Sequence, residues 1–185
     1  TEKYPGMKDF KKFGPFAYTA KLRNGLFRNT GACLSPQNAF YNSIGMETLG
    51  LRMERVCDNA KTLAQFFATE YSDIEVNYPG LAGSKWHNIA TEQFGDKFGG
   101  IITIRTGNKK RAFGIIDALK LPLIVSNIGD TKTLVIHPES TLNVHSTQEE
   151  KETAGVFDDL IRISVGIEDI DDLIDDFKQA IESVK

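Results

Sequence analysis

Arg162 lies inside an apolar run, Leu160-Ile161-Arg162-Ile163-Ser164-Val165, that has the texture of a β-strand. Burying a guanidinium in such a run is costly unless an anion or an acceptor compensates it. Side chains alternate along a strand, so Arg162 and Ser164 share one face. A guanidinium placed there takes a carboxylate in bidentate geometry that a lysine cannot match. Upstream, Ser126-Asn127-Ile128-Gly129-Asp130 offers backbone N–H groups, an amide side chain and a glycine turn, the parts of a small anion-binding nest. Together these residues suggest a pocket for a carboxylate. Plainer readings stay open on pattern alone. Arg162 can serve an internal salt bridge or face water from an edge strand, and the turn can be an ordinary strand-to-strand connection.

Other chemically capable residues read as structural. His137-Pro138 follows a strand, where a lone histidine is a satisfied structural group. Lys132 reads as a surface residue beside a turn. The acidic series Asp169, Asp171, Asp172, Asp175 and Asp176 lacks the glycine and terminal glutamate of a calcium loop. Ile170, Leu173, Ile174, Phe177 and Ile181 run through it at helical spacing, so it reads as an amphipathic helix with a solvated acidic face. His87, His137 and His145 form no ligand-spaced cluster and there is no CxxC, so no metal site is expected. No catalytic triad, phosphate loop or dinucleotide fingerprint appears.

The elements that must position Arg162 follow from periodicity and caps. The first 70 residues read as helical. Ala17, Leu22, Leu26 and Phe27 carry one stripe that ends near Gly31. Ser35-Pro36 starts a helix with a serine cap and a proline at its first position. That helix runs to about Gly50, and Leu51, Val56, Ala60, Leu63 and Phe67 continue a stripe to about Thr69. From about residue 72 strands and helices alternate. Strands are expected at 74–78, 101–105, 123–125, 133–136 and 160–165, and helices at 86–94, 109–119 and from Asp169 onward. Asn108 is placed to cap the 109–119 helix, and Thr147 with Glu150 fits a capping box.

At 185 residues the chain can build one core, or one domain and part of another. Net charge is −3, with twelve acidic and four basic residues from Thr147 onward. Lys109-Lys110-Arg111 is too short a basic run for a nucleic-acid face. No apolar run approaches the roughly 18–20 residues of a membrane span, and the first residues do not form a signal peptide. Thr1 stands where an initiator Met is expected, which reads as a cut or processed end. Cys33 and Cys57 lie far apart and read as reduced thiols of a cytoplasmic protein.

Ordered motifs run along nearly the whole chain. Leu34-Ser35-Pro36-Gln37-Asn38-Ala39-Phe40 resembles LSPFNAF, and Gly45-Met46-Glu47-Thr48-Leu49-Gly50-Leu51-Arg52-Met53-Glu54-Arg55 resembles GLETLxLRMER. Val76-Asn77-Tyr78-Pro79-Gly80-Leu81 matches VxYPGL. Asn127-Ile128-Gly129-Asp130, Thr133-Leu134, His137-Pro138 and Ser140-Thr141 follow NVGDxxTLxxHPAST, and residues 160–169 fit LIRLSVGIED. In these motifs the chain resembles the Cys/Met-metabolism family of pyridoxal-phosphate (PLP) enzymes. The Asn-x-Gly-Asp form and Thr133-Leu134-Val135-Ile136-His137-Pro138 look most like its O-acetylhomoserine sulfhydrylase branch, with methionine γ-lyases and the cystathionine γ-synthases and lyases as neighbours.

The resemblance implies an α/β fold: the C-terminal small domain of a fold-type I PLP-dependent transferase, preceded by the last helices of the large domain. Residues 1–60 would end the large domain and 61–185 would form the small one. Arg162 would bind the substrate α-carboxylate, with Asn127 and Ser126 in further contact. The Schiff-base lysine and the groups that hold PLP would lie in the missing N-terminal part of the same enzyme, so this chain alone carries no catalytic residue and is expected to be inactive. A homotetramer acting on a small amino acid is implied, making homocysteine or methionine from O-acetylhomoserine and sulfide or a thiol. Leu142 and Asn143 stand where the family often has Thr and His, and Glu139 where it has Ala. Outside this family, a non-enzymatic carboxylate-binding α/β module is the main alternative, and an oligomerisation piece built on amphipathic helices is a weaker one.

Overall fold

A computed structural model describes residues 13–184. The chain divides into two compact units, Thr1–Glu47 and Thr48–Lys185. The continuous helix Leu49–Glu70 opens the second unit and buries Val56, Cys57, Ala60, Leu63, Ala64 and Phe67.

The first unit is helical, as its stripe and caps require. A 3-10 turn at Gly14–Phe16 leads into helix Ala17–Leu22, a π turn at Arg23–Phe27 and a last turn at Arg28–Thr30. Gly31 closes the segment at φ +56°, a left-handed position that glycine occupies without strain. Helix Pro36–Glu47 then starts where Ser35 Oγ accepts the Asn38 N–H at 3.2 Å. It buries none of its residues, and Phe40, Tyr41, Ile44 and Met46 are exposed.

The second unit is a five-stranded mixed sheet with helices on one face. The strands are β1 (Glu75–Asn77), β2 (Ile101–Arg105), β3 (Leu123–Ile124), β4 (Leu134–Ile136) and β5 (Leu160–Ser164), in the order β1-β2-β5-β4-β3. β5 is therefore central. It pairs antiparallel with β2 and β4, while β3 and β4 run parallel. Parallel neighbours cannot be joined by a tight hairpin. The chain leaving Ile124 must travel back before it enters Leu134, and that return is the 125–133 segment.

Alternation sorts the sheet into two faces. Ile102, Ile104, Ile161 and Ile163 are fully buried and share the core with the helices Leu49–Glu70, Lys109–Ala118 and Ile170–Glu182. Phe67 and Phe177 meet edge to face with ring centres 5.2 Å apart. Truncating either ring costs about 3–5 kcal/mol, from lost burial plus the cavity left behind. The caps read from sequence are in place. Asn108 accepts the Arg111 N–H, Thr147 and Glu150 form a reciprocal capping box, and Asp169 accepts the Asp171 N–H.

One acid of the last helix is not solvated. Asp176 is buried and accepts the N–H groups of Lys120 and Leu121, each at 2.9 Å, and Gln179 Nε2 at 3.0 Å. Gln179 Nε2 also donates to the Ala118 carbonyl at 2.7 Å. Asp176 thus fixes the turn that delivers the chain into β3. Asp176→Ala removes the acceptor for these buried donors and is expected to destabilise the protein by about 2–3 kcal/mol in urea unfolding.

Candidate functional site

β5 places Arg162 by simple alternation. Ile161 and Ile163 enter the core, so Arg162 and Ser164 emerge on the opposite face. The cross-strand neighbours of Arg162 are Thr103 on β2 and Ile136 on β4. Its Nη2 donates to the Asn127 carbonyl oxygen at 3.2 Å. Its Nε is buried and has no hydrogen-bond partner. Burial pushes the guanidinium pKa down from its ordinary value, yet an arginine stays protonated.

Both plain readings of Arg162 now fail. It is not on an edge strand, because β5 is central. Nor does it pair with a carboxylate among the described residues: Asp169 caps the last helix and stands 4.0 Å from Arg55, and Asp176 holds the 120–121 turn. A half-buried cation with one unbonded N–H edge is a group prepared for an external anion.

The returning segment packs against the same face. Gly129, at φ +75°, donates its N–H to Ser164 Oγ at 3.2 Å. Further along, the Lys132 N–H is accepted by Asp130 and the Thr133 N–H by Glu168. The amides of Gly129, Lys132 and Thr133 are therefore committed within the protein. Ser126 and Asn127 are exposed, and Asn127 meets Arg162 through its backbone carbonyl.

The remaining candidates are structural. His137 is buried, with Nδ1 2.9 Å from Ser140 Oγ, Nε2 2.8 Å from the Asp158 carbonyl oxygen, and its ring against Phe113. Thr141 Oγ1 donates to the His137 carbonyl, and Leu142 is exposed. Lys132 is exposed, and no cluster of three or more metal-ligating side chains occurs among the described residues. Glu139 is held between Lys109 Nζ, at 2.8 Å, and Lys151 Nζ, so its carboxylate ties helices Lys109–Ala118 and Gln148–Thr153 to the His137 turn. On the open sheet face Thr103 also lines a groove of about 790 Å³, together with Glu75, Asn77, Arg105, Trp86 and Phe157.

The model of the Cys/Met metabolism PLP-dependent enzymes matches residues 10–182. The chain belongs to this family. The O-acetyl-L-homoserine sulfhydrylase of Corynebacterium glutamicum is 39% identical over 98% of the chain and 41% of its own length. An L-methionine gamma-lyase of Fusobacterium nucleatum subsp. polymorphum is 40% identical over 86% of the chain and 40% of its own length. Among solved structures, a putative O-acetylhomoserine (thiol)-lyase of Campylobacter jejuni, holding a pyridoxyl-lysine phosphate, superposes with a TM-score of 0.79 at 39% identity. That match covers 89% of this chain and 39% of the other. The chain thus spans about two-fifths of the length of the curated relatives it matches.

The family's cofactor needs an amine. Among the described residues, the partly buried lysines Lys97 and Lys151 are ion-paired to Asp58 and Glu139, and Lys61 lies over Phe98. These residues do not fit the cofactor.

Glu139 generates a pH prediction. Hydrogen bonds from Lys109 and then Lys151 hold its carboxyl at about 2, below its ordinary 4.5. The folded pKa is depressed, so the stabilisation is complete above about 4.5 and is lost as pH falls toward 2. Glu139→Gln is expected to destabilise by about 1 kcal/mol at pH 7, with the difference from the unmodified protein vanishing near pH 2 in denaturant titrations.

Proposed function

We propose that this chain supplies the substrate-carboxylate site of a PLP-dependent sulfhydrylase. In this reading the intact protein joins O-acetylhomoserine to sulfide or a thiol, giving homocysteine or methionine. The observation that carries it is the guanidinium of Arg162, half-buried on the open face of a central strand, its Nε unbonded and no carboxylate paired with it among the described residues. The α-carboxylate of an amino acid supplies that missing partner. The Asn127 carbonyl steadies the guanidinium from one side, and this reading assigns the exposed Ser126 and Asn127 as further contacts to the same carboxylate.

Electron-sink chemistry comes with the cofactor. The contribution of this chain is orientation: fixing the carboxylate aligns the rest of the amino acid for reaction and lowers the entropy cost of reaching that alignment. The cofactor and its lysine belong to the N-terminal part of the enzyme, with residues 1–60 as the end of the large domain and 61–185 as the small one. The uncovered apolar face of helix Pro36–Glu47 suits packing against such a large domain. A homotetramer and a cytoplasmic setting complete the reading. Cys33 and Cys57 are free thiols, and no helix among the described residues is long and apolar enough to cross a membrane.

Arg162→Ala in the full-length enzyme is expected to raise KM for O-acetyl-L-homoserine about 30-fold or more, roughly 2 kcal/mol or above, with Arg162→Lys recovering only part. An unchanged KM in Arg162→Ala would sink the assignment. Running the assay with and without sulfide separates replacement from the elimination that a methionine γ-lyase performs.

A further inference from the structure

The carbonyl that meets Arg162 belongs to a segment with little hydrophobic anchorage of its own. Ile128 is exposed, as are Val125 and Thr131. Polar contacts must therefore decide where this segment stands. Midway along it, two residues after Asn127, Gly129 is held by Ser164. Toward β4 the contacts converge on Glu168.

Glu168 follows β5 and turns its carboxylate back toward the returning segment. One oxygen accepts the Thr133 N–H, and the other accepts Thr133 Oγ1–H at 2.9 Å. Thr133 is fully buried, and its Oγ1 also accepts the Gly166 N–H at 2.9 Å. The Ile167 N–H donates to the Thr131 carbonyl oxygen at 2.9 Å. The main chain of Glu168 is itself anchored. Its carbonyl oxygen accepts Asn59 Nδ2 at 2.9 Å, and the same amide donates to the Gly166 carbonyl oxygen at 3.1 Å. Asn59 is buried on the long helix Leu49–Glu70. Contact is so close that a Cβ on Gly166 would lie 2.5 Å from both the Glu168 carboxylate and the Thr131 carbonyl oxygen.

These bonds form one clasp. It runs from the core helix, through Asn59 and Glu168, to Thr133 just before β4, and with the Ser164–Gly129 bond it holds the stretch of chain that follows Asn127. We infer that Glu168, acting through Thr133, is the positioning residue of the carboxylate site: it sets where the Asn127 carbonyl and its rim stand against Arg162. This rests on the assignment of Arg162 as the carboxylate group. Glu168 does not itself touch the substrate. Its role differs from that of Glu139, whose bonds go to lysines on two helices.

The test uses the full-length, cofactor-loaded enzyme and two probes, L-methionine and its carboxamide L-methioninamide, with affinities measured by calorimetry. The preference for the acid over the amide reports the carboxylate site and is insensitive to a general loss of stability. Arg162→Ala is expected to collapse that preference. Glu168→Ala should reduce it about tenfold, the scale of a lost buried hydrogen bond to a charged group. Thr133→Val, which keeps the side-chain shape and removes only the hydroxyl, should act in the same direction and carries the test if Glu168→Ala fails to fold. Glu168→Gln, which retains an acceptor for the Thr133 N–H, should restore part of the preference. In an Arg162→Ala background, Glu168→Ala should change the preference no further, because both act on one site.

The inference is overturned if Glu168→Ala and Thr133→Val leave the preference intact while Arg162→Ala abolishes it. It is equally overturned if Glu168→Ala weakens acid and amide alike. If Arg162→Ala itself leaves the preference intact, the carboxylate assignment fails and the clasp's role falls with it.

Discussion

The structure depends on a division of labour across a single strand. β5 is central, so one of its faces must be apolar for the sheet to hold its helices. Ile161 and Ile163 meet that need among Phe67, Ile115 and Phe177. The same alternation obliges Arg162 and Ser164 to face the other way. A cation on a central strand is desolvated on both flanks by its neighbours, here Thr103 and Ile136. Partial desolvation is what makes a guanidinium selective for an anion: water competes poorly for it, and the strand leaves it little freedom to move away.

Topology supplies the second component. Because β3 and β4 are parallel, their connection must double back, and it does so across the end of β5 that carries Arg162 and Ser164. A hairpin would have kept that chain at the edge of the sheet. The anchors of this return, at Gly129 and Thr133, are polar, and the buried Asp176 steers its approach by fixing the 120–121 turn. Rigid elements therefore position an exposed segment through a small number of hydrogen bonds rather than through packing.

Much of this was legible in the residues. Strands 101–105 and 160–164 were readable because β-branched residues alternate with polar ones, and the last helix because its apolar stripe is continuous. Arg162 stood out because an arginine between isoleucines has few cheap explanations, and the ordered motifs gave its family. Other features were not legible, for physical reasons. The parallel pairing of β3 with β4 rests on two residues, too few to leave a pattern. That Asn127 presents its carbonyl rather than its amide depends on backbone direction, which residue type does not encode. Glu168 and Asp176 sit in an acidic stretch that looks like solvated surface, and only tertiary contact separates them from Asp171 or Asp172. The one sequence sign of the clasp was Gly166, whose missing side chain is needed for close approach.

The two ends of the sheet have a consequence of a different kind. β1 contributes three residues and β3 only two. Leu123, Ile124 and Val125 are apolar and exposed, a composition that favours pairing with a strand from another molecule. A two-residue edge offers too little backbone to template such a partner, and Pro122, just before it, has no N–H to extend the ladder. The opposite edge carries Glu75, whose charge discourages the same event. The sheet is thus protected from edge-to-edge aggregation by brevity at one end and charge at the other, even though its apolar content alone would invite it.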